Sequence, residues 1–127
     1  MPVITTKEPA SAVAAALKAE ASESKPAYVV VYASHRNGRS WCPDCTAAEP
    51  YIEKKFGGEE NTVRVVYAGL PEVWRTKDNE WRQAPFNVTN LPTLIKVTGD
   101  NKWEKLVEAD VYDQKKLDAF VGGNSRL

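Results

Sequence analysis

The stretch AYVVVYAS, residues 27–34, constrains the fold of this chain more strongly than any other segment. It is a nearly continuous run of β-branched and aromatic side chains, which is typical of a strand buried on both faces. Such a strand lies inside a sheet whose two faces are covered by other elements. The sequence therefore predicts a layered fold with this strand near the centre of its sheet.

The segments that follow complete a strand, helix and strand pattern. After the polar loop HRNGRS, apolar residues at Cys45, Ala48, Ile52 and Phe56 keep helical spacing. The stretch NTVRVVYAG, residues 61–69, is again rich in β-branched side chains and predicts a second strand. Because these elements span only about forty residues, they form a βαβ unit with a right-handed crossover.

Further helices are predicted on either side of this unit. Thr5 and Glu8 have the spacing of a capping box, and an apolar-periodic helix is expected to follow them. A short helix is predicted near residues 73–77. A last amphipathic helix can be capped by Asp110 or Asp113, because an aspartate side chain can accept a hydrogen bond from the first turn of a helix.

Residues 92–99 and 102–109 predict two strands of a hairpin around the turn GDN. The whole order is that of an α/β fold, with a mixed central sheet of about four strands flanked by helices on both faces. We expect a single domain over residues 1–127. In open α/β sheets the active site lies beyond the carboxyl ends of the parallel strands, which is where Cys42 is expected.

Charge and hydropathy narrow the classes of function. Seventeen Lys and Arg balance seventeen Asp and Glu, so no excess charge attracts nucleic acid or an anionic membrane surface. No stretch reaches the roughly 18 apolar residues of a spanning helix, and the N-terminal run AVAAAL is too short for a signal-peptide core. We therefore expect a cytoplasmic protein that acts on small molecules or on other proteins.

The chain has two cysteines, Cys42 and Cys45, which lie three positions apart in the stretch SWCPDCT. In a reducing compartment such a pair is more often catalytic, redox-sensing or metal-binding than structural, and a very small loop gains least from a crosslink. At a helix start, the Cys42 sulfur faces unpaired N–H groups and the positive end of the helix dipole, which favour the thiolate. Pro43 suits the first helical position.

This spacing predicts a dithiol cycle, because Cys45 lies nearly one turn further on the same face. The Cys42 thiolate attacks a substrate disulfide, and Cys45 then displaces the reduced product and leaves a bridge between the two cysteines. Asp44 lies between them. Its carboxylate suits a helix N-terminus but repels a thiolate, and it is either a proton relay for Cys45 or a solvated acid of the first turn.

Metal binding by the two thiolates is an alternative. One pair of sulfurs and a single histidine fall short of the four ligands of a structural zinc site. A site would need two chains or a two-coordinate soft ion such as Cu(I). No phosphate-binding glycine loop is present, so the sequence implies neither a nucleotide nor any other cofactor.

The cysteine motif on a strand-to-helix turn, with Leu91-Pro92-Thr93 opening a later strand, resembles the thioredoxin superfamily over nearly the whole chain. The stretches SWCPDC followed by AEP, VYAGLPEVWRTKDNEWR and FNVTNLPTLIKV are more closely similar to the thioredoxin-related proteins of 14 kDa, the thioredoxin domain-containing protein 17 family. The resemblance implies a thioredoxin-like fold. It also implies a disulfide reductase that is recharged by thioredoxin reductase. Separately, we expect a monomer.

The resemblance extends to substrates. It implies action on small disulfides such as cystine, on nitrosothiols and persulfides, and on selected oxidised proteins, with poor activity on the standard substrates of thioredoxin. The loop HRNGRS and the segment 70–90 are larger than in thioredoxin and are expected to restrict protein substrates. Thioredoxin carries a buried aspartate on its central strand, whereas YVVVYAS has none. Asp44 or water must therefore deprotonate the resolving thiol, or that step is slow.

Carried over residue by residue, the resemblance makes Cys42 the nucleophile and Cys45 the resolving thiol. It makes Pro92 a cis-proline that faces them, with the backbone of Leu91 available to an extended substrate. Trp41 and Pro43 flank the nucleophile and are expected to contact substrate. For Trp41, packing against the sheet edge is an equally good interpretation.

Two alternatives stay open. The first is an alternative to the disulfide reductase: a thioredoxin-fold binding or redox-sensing module that acts through protein partners. The C-terminal residues Ser125, Arg126 and Leu127 resemble the SKL-type peroxisomal address, so peroxisomal import is an alternative to a cytoplasmic location.

Overall fold

The computed structural model describes residues 3–58 and 61–122. Its strands are β1 (Val3–Thr5), β2 (Ala27–Tyr32), β3 (His35–Arg36), β4 (Arg39–Ser40), β5 (Val63–Tyr67), β6 (Thr93–Val97) and β7 (Trp103–Val107). Its α-helices are α1 (Ala10–Glu20), α2 (Pro43–Lys55), α3 (Pro71–Trp74) and α4 (Gln114–Gly122), and two 3₁₀ helices span Glu80–Arg82 and Glu108–Tyr112. This is the predicted α/β architecture.

The main sheet is mixed and has the strand order β1-β5-β2-β6-β7. Strands β1, β5 and β2 run parallel, whereas β6 is antiparallel to β2 and β7 is antiparallel to β6. Every residue of β2 is buried, which confirms its predicted central place. The predicted hairpin is also confirmed as β6 and β7. The sheet has five strands because the edge strand β1, which the sequence analysis did not predict, pairs with β5.

The start of α1 differs from the prediction. Thr5 lies in β1 and pairs with β5, so it is not available to cap a helix with Glu8. Pro9 occupies the cap position and makes no side-chain cap bond. A distant side chain supplies the missing acceptor: the Ala10 N–H donates to Glu80 Oε1 at 2.8 Å. The capping-box prediction is therefore wrong, and a contact 70 residues apart in sequence takes its place.

The polar loop before the cysteines is a small hairpin. Strands β3 and β4 pair antiparallel around Asn37 and Gly38, which both have positive φ, at 56° and 82°. A two-residue turn with both central residues at positive φ matches the twist of its flanking strands, and Asn-Gly is a favoured sequence for it. This hairpin leads through Ser40 and Trp41 into α2, which begins at Pro43 as predicted.

The remaining elements close the fold around the sheet. Helix α3 begins at Pro71, two residues before the predicted short helix, because proline suits a first helical position. Of the two candidate caps of α4, Asp113 accepts from the Lys116 N–H at 3.1 Å. Helix α4 ends at Gly122. Over the described ranges, no helix combines the length and apolar character needed to cross a bilayer.

Candidate active site

Cys42 caps the N-terminus of α2, as its place in the sequence predicts. Its backbone is extended, with φ −107° and ψ 109°, and its sulfur accepts a hydrogen bond from the Cys45 N–H at 3.2 Å. The Cys42 N–H donates to Ser40 Oγ at 3.1 Å, so the residue is held from both sides. Pro43 follows at the first helical position, where its missing N–H leaves no partner unsatisfied. The helix start therefore directs an amide donor at the Cys42 sulfur.

The two cysteines are free thiols that lie against each other. The side chain of Cys45 hydrogen-bonds to the Cys42 sulfur, and Cys45 is fully buried, whereas Cys42 is 7% exposed. The Ala33 N–H, just after the end of β2, donates to Cys45 Sγ at 3.4 Å. One sulfur thus lies at the surface of the site and the other directly behind it.

These contacts separate the acidities of the two thiols. The hydrogen bond from the Cys45 side chain lowers the pKa of Cys42 to about 7, with help from backbone N–H groups and against burial and the charge of Asp44. The same hydrogen bond raises the pKa of Cys45 far above its ordinary value, and burial is the second largest cause. Cys42 is consequently more readily ionised near neutral pH than an ordinary cysteine, while Cys45 keeps its proton.

Asp44 has a specific partner. Its Oδ1 accepts a hydrogen bond from the Tyr112 hydroxyl at 2.7 Å, and both residues are half-buried. Asp44 is an acid of the first turn of α2, as predicted, and a side chain from another element binds its carboxylate. Its predicted role as a proton relay for Cys45 stays a prediction. Tyr112 lies 68 residues from Asp44, and no local pattern in the sequence marks it as part of the site.

The backbone of Leu91 lies opposite the nucleophile. The register of β2 and β6 pairs Val31 with Thr93, which places the preceding residues beyond the carboxyl end of β2. The Cys42 sulfur is 3.7 Å from the Leu91 carbonyl oxygen, and the Leu91–Pro92 peptide bond is cis, as the family resemblance implied. Leu91 and Pro92 are both buried. The sequence-predicted residues at 42, 45, 91 and 92 therefore do form one site.

Trp41 is anchored at the edge of this site. Its Nε1–H donates to the Gly69 carbonyl at 3.0 Å, and the Arg75 guanidinium lies 5.7 Å from the centre of its ring. The interpretation of Trp41 as a packing residue is confirmed by these contacts. Its contact with substrate, like that of Pro43, stays a prediction.

The segment 70–90 is an ordered layer beside Trp41. Asn79 is 8% exposed, and its side-chain amide donates to the Ala68 carbonyl at 2.8 Å. Trp81 packs edge-on against Phe86, with ring centres 4.9 Å apart. The Arg82 side chain lies over the Trp74 ring at 4.1 Å. Buried contacts therefore fix this segment beside Trp41, and its tryptophans belong to the packing.

The described residues contain no group of three or more His, Cys, Asp or Glu side chains that could hold a metal ion. The two thiols of the site are each other's hydrogen-bond partners. Within the described parts of the chain, a metal at this site would therefore have only Cys42 and Cys45 as sulfur ligands.

A thiol at the first turn of the helix after a central parallel strand, a second thiol behind it and a cis-proline backbone opposite define a thioredoxin-fold redox protein. The short form of spinach chloroplast thioredoxin f has the same fold: the TM-score is 0.68, with 98% of this chain and 94% of that chain covered at 14% identity. The sequence model described as "Thioredoxin domain-containing protein 17-like, thioredoxin domain" matches residues 6–122. The chain belongs to this family.

Two relatives show how far the similarity extends. The thioredoxin-like protein Clot of Arabidopsis thaliana is 40% identical over 88 residues, which cover 65% of this chain and 65% of that protein. Thioredoxin domain-containing protein 17 of Mus musculus is 36% identical over 75 residues, 58% of each chain. The matched regions span less than two thirds of the relatives' own length. Family and fold establish a thioredoxin-like redox protein, a thiol oxidoreductase in general terms.

Proposed function

We propose that this protein is a disulfide reductase in which Cys42 is the attacking thiol and Cys45 the resolving thiol. One observation carries the proposal: the Cys42 sulfur caps α2 and accepts the Cys45 N–H at 3.2 Å, while Cys45 itself is fully buried. This arrangement stabilises a thiolate at the more accessible of the two positions and holds a protonated thiol next to it. An attacking group and its resolving partner need these two properties.

The proposed cycle has two steps. The Cys42 thiolate attacks one sulfur of a substrate disulfide, the substrate S–S bond breaks, and the departing thiolate takes a proton from solvent. Cys45 then loses its proton and attacks the Cys42 sulfur. The second half of the substrate leaves as a thiol, and a Cys42–Cys45 disulfide is formed. Two electrons have passed from the protein to the substrate.

The timing of the second step also has a physical basis. The pKa of Cys45 is raised chiefly because its side chain hydrogen-bonds to the Cys42 sulfur. Once Cys42 is bonded to substrate it carries no charge, so this reason for keeping the proton on Cys45 disappears. Cys45 thus becomes easier to ionise when its attack is required. Its proton goes to Asp44, the acid nearest in sequence, or to water.

The substrate class is a further part of the proposal. Cys42 is 7% exposed and Leu91 6% exposed, so the sulfur is recessed between the Leu91 backbone and the start of α2. Such a sulfur favours substrates that are small or extended. We assign small disulfides such as cystine, nitrosothiols and persulfides, together with selected oxidised proteins, as substrates. We assign thioredoxin reductase as the electron donor of a cytoplasmic monomer.

The experiment is to measure NADPH consumption by thioredoxin reductase and this protein with cystine or insulin as the final acceptor. We expect rapid turnover with cystine and negligible turnover with insulin. No dependence of NADPH consumption on this protein with either acceptor would reject the proposed activity. Turnover with insulin at the rate of cystine would reject the substrate class alone.

The proposed location is tested separately. A reporter protein that ends in residues 122–127 of this chain should stay diffuse in the cytoplasm. Accumulation of the reporter in peroxisomes would show that the tripeptide Ser125-Arg126-Leu127, which lies outside the described residues, is read as an address.

A binding role is the second candidate function. Val73 is 52% exposed and Tyr67 is 37% exposed, and both line a cavity of about 460 Å³ beside the carboxyl end of β5. Exposed apolar side chains next to a concavity favour contact with another protein. If partner binding proceeds unchanged with both cysteines replaced by serine, and the wild-type protein shows no turnover, this function is the correct one.

A further inference from the structure

We infer that Tyr112 is a positioning residue of the dithiol site: it binds the Asp44 carboxylate and so limits how strongly that negative charge acts on Cys42. The direct observation is the hydrogen bond of 2.7 Å from the Tyr112 hydroxyl to Asp44 Oδ1. The inference rests on the proposed role of Cys42 as the attacking thiol. It adds a residue that neither the cysteine motif nor the strand pattern contains.

The element that carries Tyr112 connects the two sides of the site. The 3₁₀ helix Glu108–Tyr112 follows β7 and is anchored by Val111, which is fully buried. At its first residue, the Glu108 N–H donates to the Pro92 carbonyl at 2.8 Å. At its last residue, Tyr112 binds Asp44 in the first turn of α2. One short element therefore contacts both the proline segment and the helix that carries the thiols.

The neighbouring tyrosine provides a comparison. The Tyr51 ring, from α2, lies 6.4 Å from the Tyr112 ring, at an angle of 49°. Within residues 3–58 and 61–122, the Tyr51 hydroxyl has no hydrogen-bond partner, whereas the Tyr112 hydroxyl binds Asp44. The two phenols therefore share an environment of aromatic packing and differ in the contact with the carboxylate.

The charges around Asp44 give the sign of the effect. The charge of Asp44 acts to raise the pKa of both Cys42 and Cys45. The pKa of Tyr112 is raised first by its hydrogen bond to Asp44 and then, besides burial, by the charges of Asp44, Cys42 and Glu108. A hydroxyl hydrogen that points at the carboxylate partly compensates its field. Removal of the hydroxyl leaves that field stronger at Cys42, and the thiolate becomes less stable.

The test compares the pH dependence of Cys42 alkylation by iodoacetamide in five reduced proteins: wild type, Tyr112→Phe, Tyr51→Phe, Asp44→Asn and the double variant Asp44→Asn/Tyr112→Phe. We expect Tyr112→Phe to move the midpoint of Cys42 alkylation upward by about 0.5 pH unit. This shift lowers the alkylation rate at pH 7 by about twofold. Tyr51→Phe should leave the midpoint unchanged. Asp44→Asn should lower it, and adding Tyr112→Phe to Asp44→Asn should have no further effect.

A midpoint that stays or falls in Tyr112→Phe, or an equal upward shift with and without Asp44, overturns the inference. A second measurement does not depend on alkylation of Cys42. The ultraviolet titration of the phenols should show one tyrosine that titrates at lower pH in Asp44→Asn, and this tyrosine should be missing from the double variant. An unchanged titration overturns the inference. A wild-type Cys42 midpoint at the ordinary value for cysteine would instead contradict the proposed function.

Discussion

The two ends of the central strand β2 use buried polar groups in different ways. At the amino end, Tyr28 pairs with Lys96 across to β6, and both side chains reach the last turn of α4. The Tyr28 hydroxyl donates to the Val121 carbonyl at 2.9 Å, and Lys96 Nζ donates to the Phe120 carbonyl at 2.6 Å. Lys96 is only 5% exposed. These donors satisfy helix-end carbonyls that have no partner within the helix itself.

At the carboxyl end the buried polar groups include two sulfurs. Cys45 accepts the Ala33 N–H at 3.4 Å and binds Cys42, and Cys42 accepts the Cys45 N–H. A sulfur is a weak hydrogen-bond acceptor unless it is ionised. The contacts around Cys42 therefore become strong when it carries a negative charge.

The difference shows how one strand serves both stability and chemistry. At the amino end a charged donor meets fixed carbonyl acceptors, so its contacts are satisfied and favour one static arrangement. At the carboxyl end the two sulfurs are buried to a similar degree, and they share a proton. The reaction changes the position of this proton. We therefore expect substitutions at the amino end to reduce stability and leave thiol chemistry intact, and substitutions at the carboxyl end to do the reverse.

The largest expected effect is that of Cys42→Ser. A serine hydroxyl does not ionise at neutral pH, so reduction of cystine should fall to background. The thermal unfolding midpoint of the reduced protein should change little. The measurement is the coupled NADPH assay together with a melting curve. Retention of wild-type turnover would show that Cys42 is not the attacking group.

Cys45→Ser should block the cycle one step later. Cys42 can still attack, but no thiol displaces the product, so the mixed disulfide should accumulate. Intact mass spectrometry after incubation with cystine should show a protein whose mass is increased by one half-cystine. A protein that remains unmodified, or one that turns over normally, would contradict the assigned order of the two thiols.

Lys96→Met is the corresponding change at the amino end of β2. It removes the donor to the Phe120 carbonyl and should lower the free energy of unfolding by about 1–3 kcal/mol. The alkylation midpoint of Cys42 should stay where it is. Lys102→Met is the matched control, because Lys102 is 72% exposed and a surface substitution of this kind should change stability by less than about 0.5 kcal/mol. Equal effects of the two variants would show that Lys96 does not support α4.

The stability of the reduced protein should depend weakly on pH through the two thiols. The pKa of Cys42 is about 7 in the folded protein, below its ordinary value, so its stabilising contribution is lost as pH falls through about 7. The pKa of Cys45 is raised, so its contribution is lost as pH rises above the ordinary value for cysteine. Denaturant unfolding should therefore show a maximum of stability between these limits.

The double variant Cys42→Ser/Cys45→Ser isolates this contribution, because it keeps every other titrating group. The difference in unfolding free energy between wild type and this variant should rise from pH 6 toward pH 8.5 and fall above it. A difference that is constant with pH would show that the fold does not separate the two acidities.

Local sequence patterns predicted the parts of the fold that are fixed by local or periodic signals. The run of β-branched residues identified β2, and Pro43 after Cys42 identified the start of α2. The cysteine spacing alone placed both thiols on one face of α2. The apolar strands around the turn GDN identified the hairpin of β6 and β7.

The missed features depend on contacts that a local pattern does not contain. Strand β1 has three residues at a sheet edge and is not fully buried, so it has no apolar alternation. The hairpin of β3 and β4 carried a usable signal in Asn37-Gly38, but its two-residue strands are too short for a strand pattern. Tyr112 reaches Asp44 only because the chain after β7 returns to α2, and that return is a property of the tertiary fold.

The most direct test of the central claim is a titration of the thiolate absorbance of the reduced protein, with Cys42→Ser as the reference. The account predicts that one thiol ionises with a midpoint of about 7, that this transition is absent from Cys42→Ser, and that Cys45 stays protonated well beyond the ordinary range of a cysteine. Ionisation of both thiols together near the ordinary value of about 8.5 would contradict it.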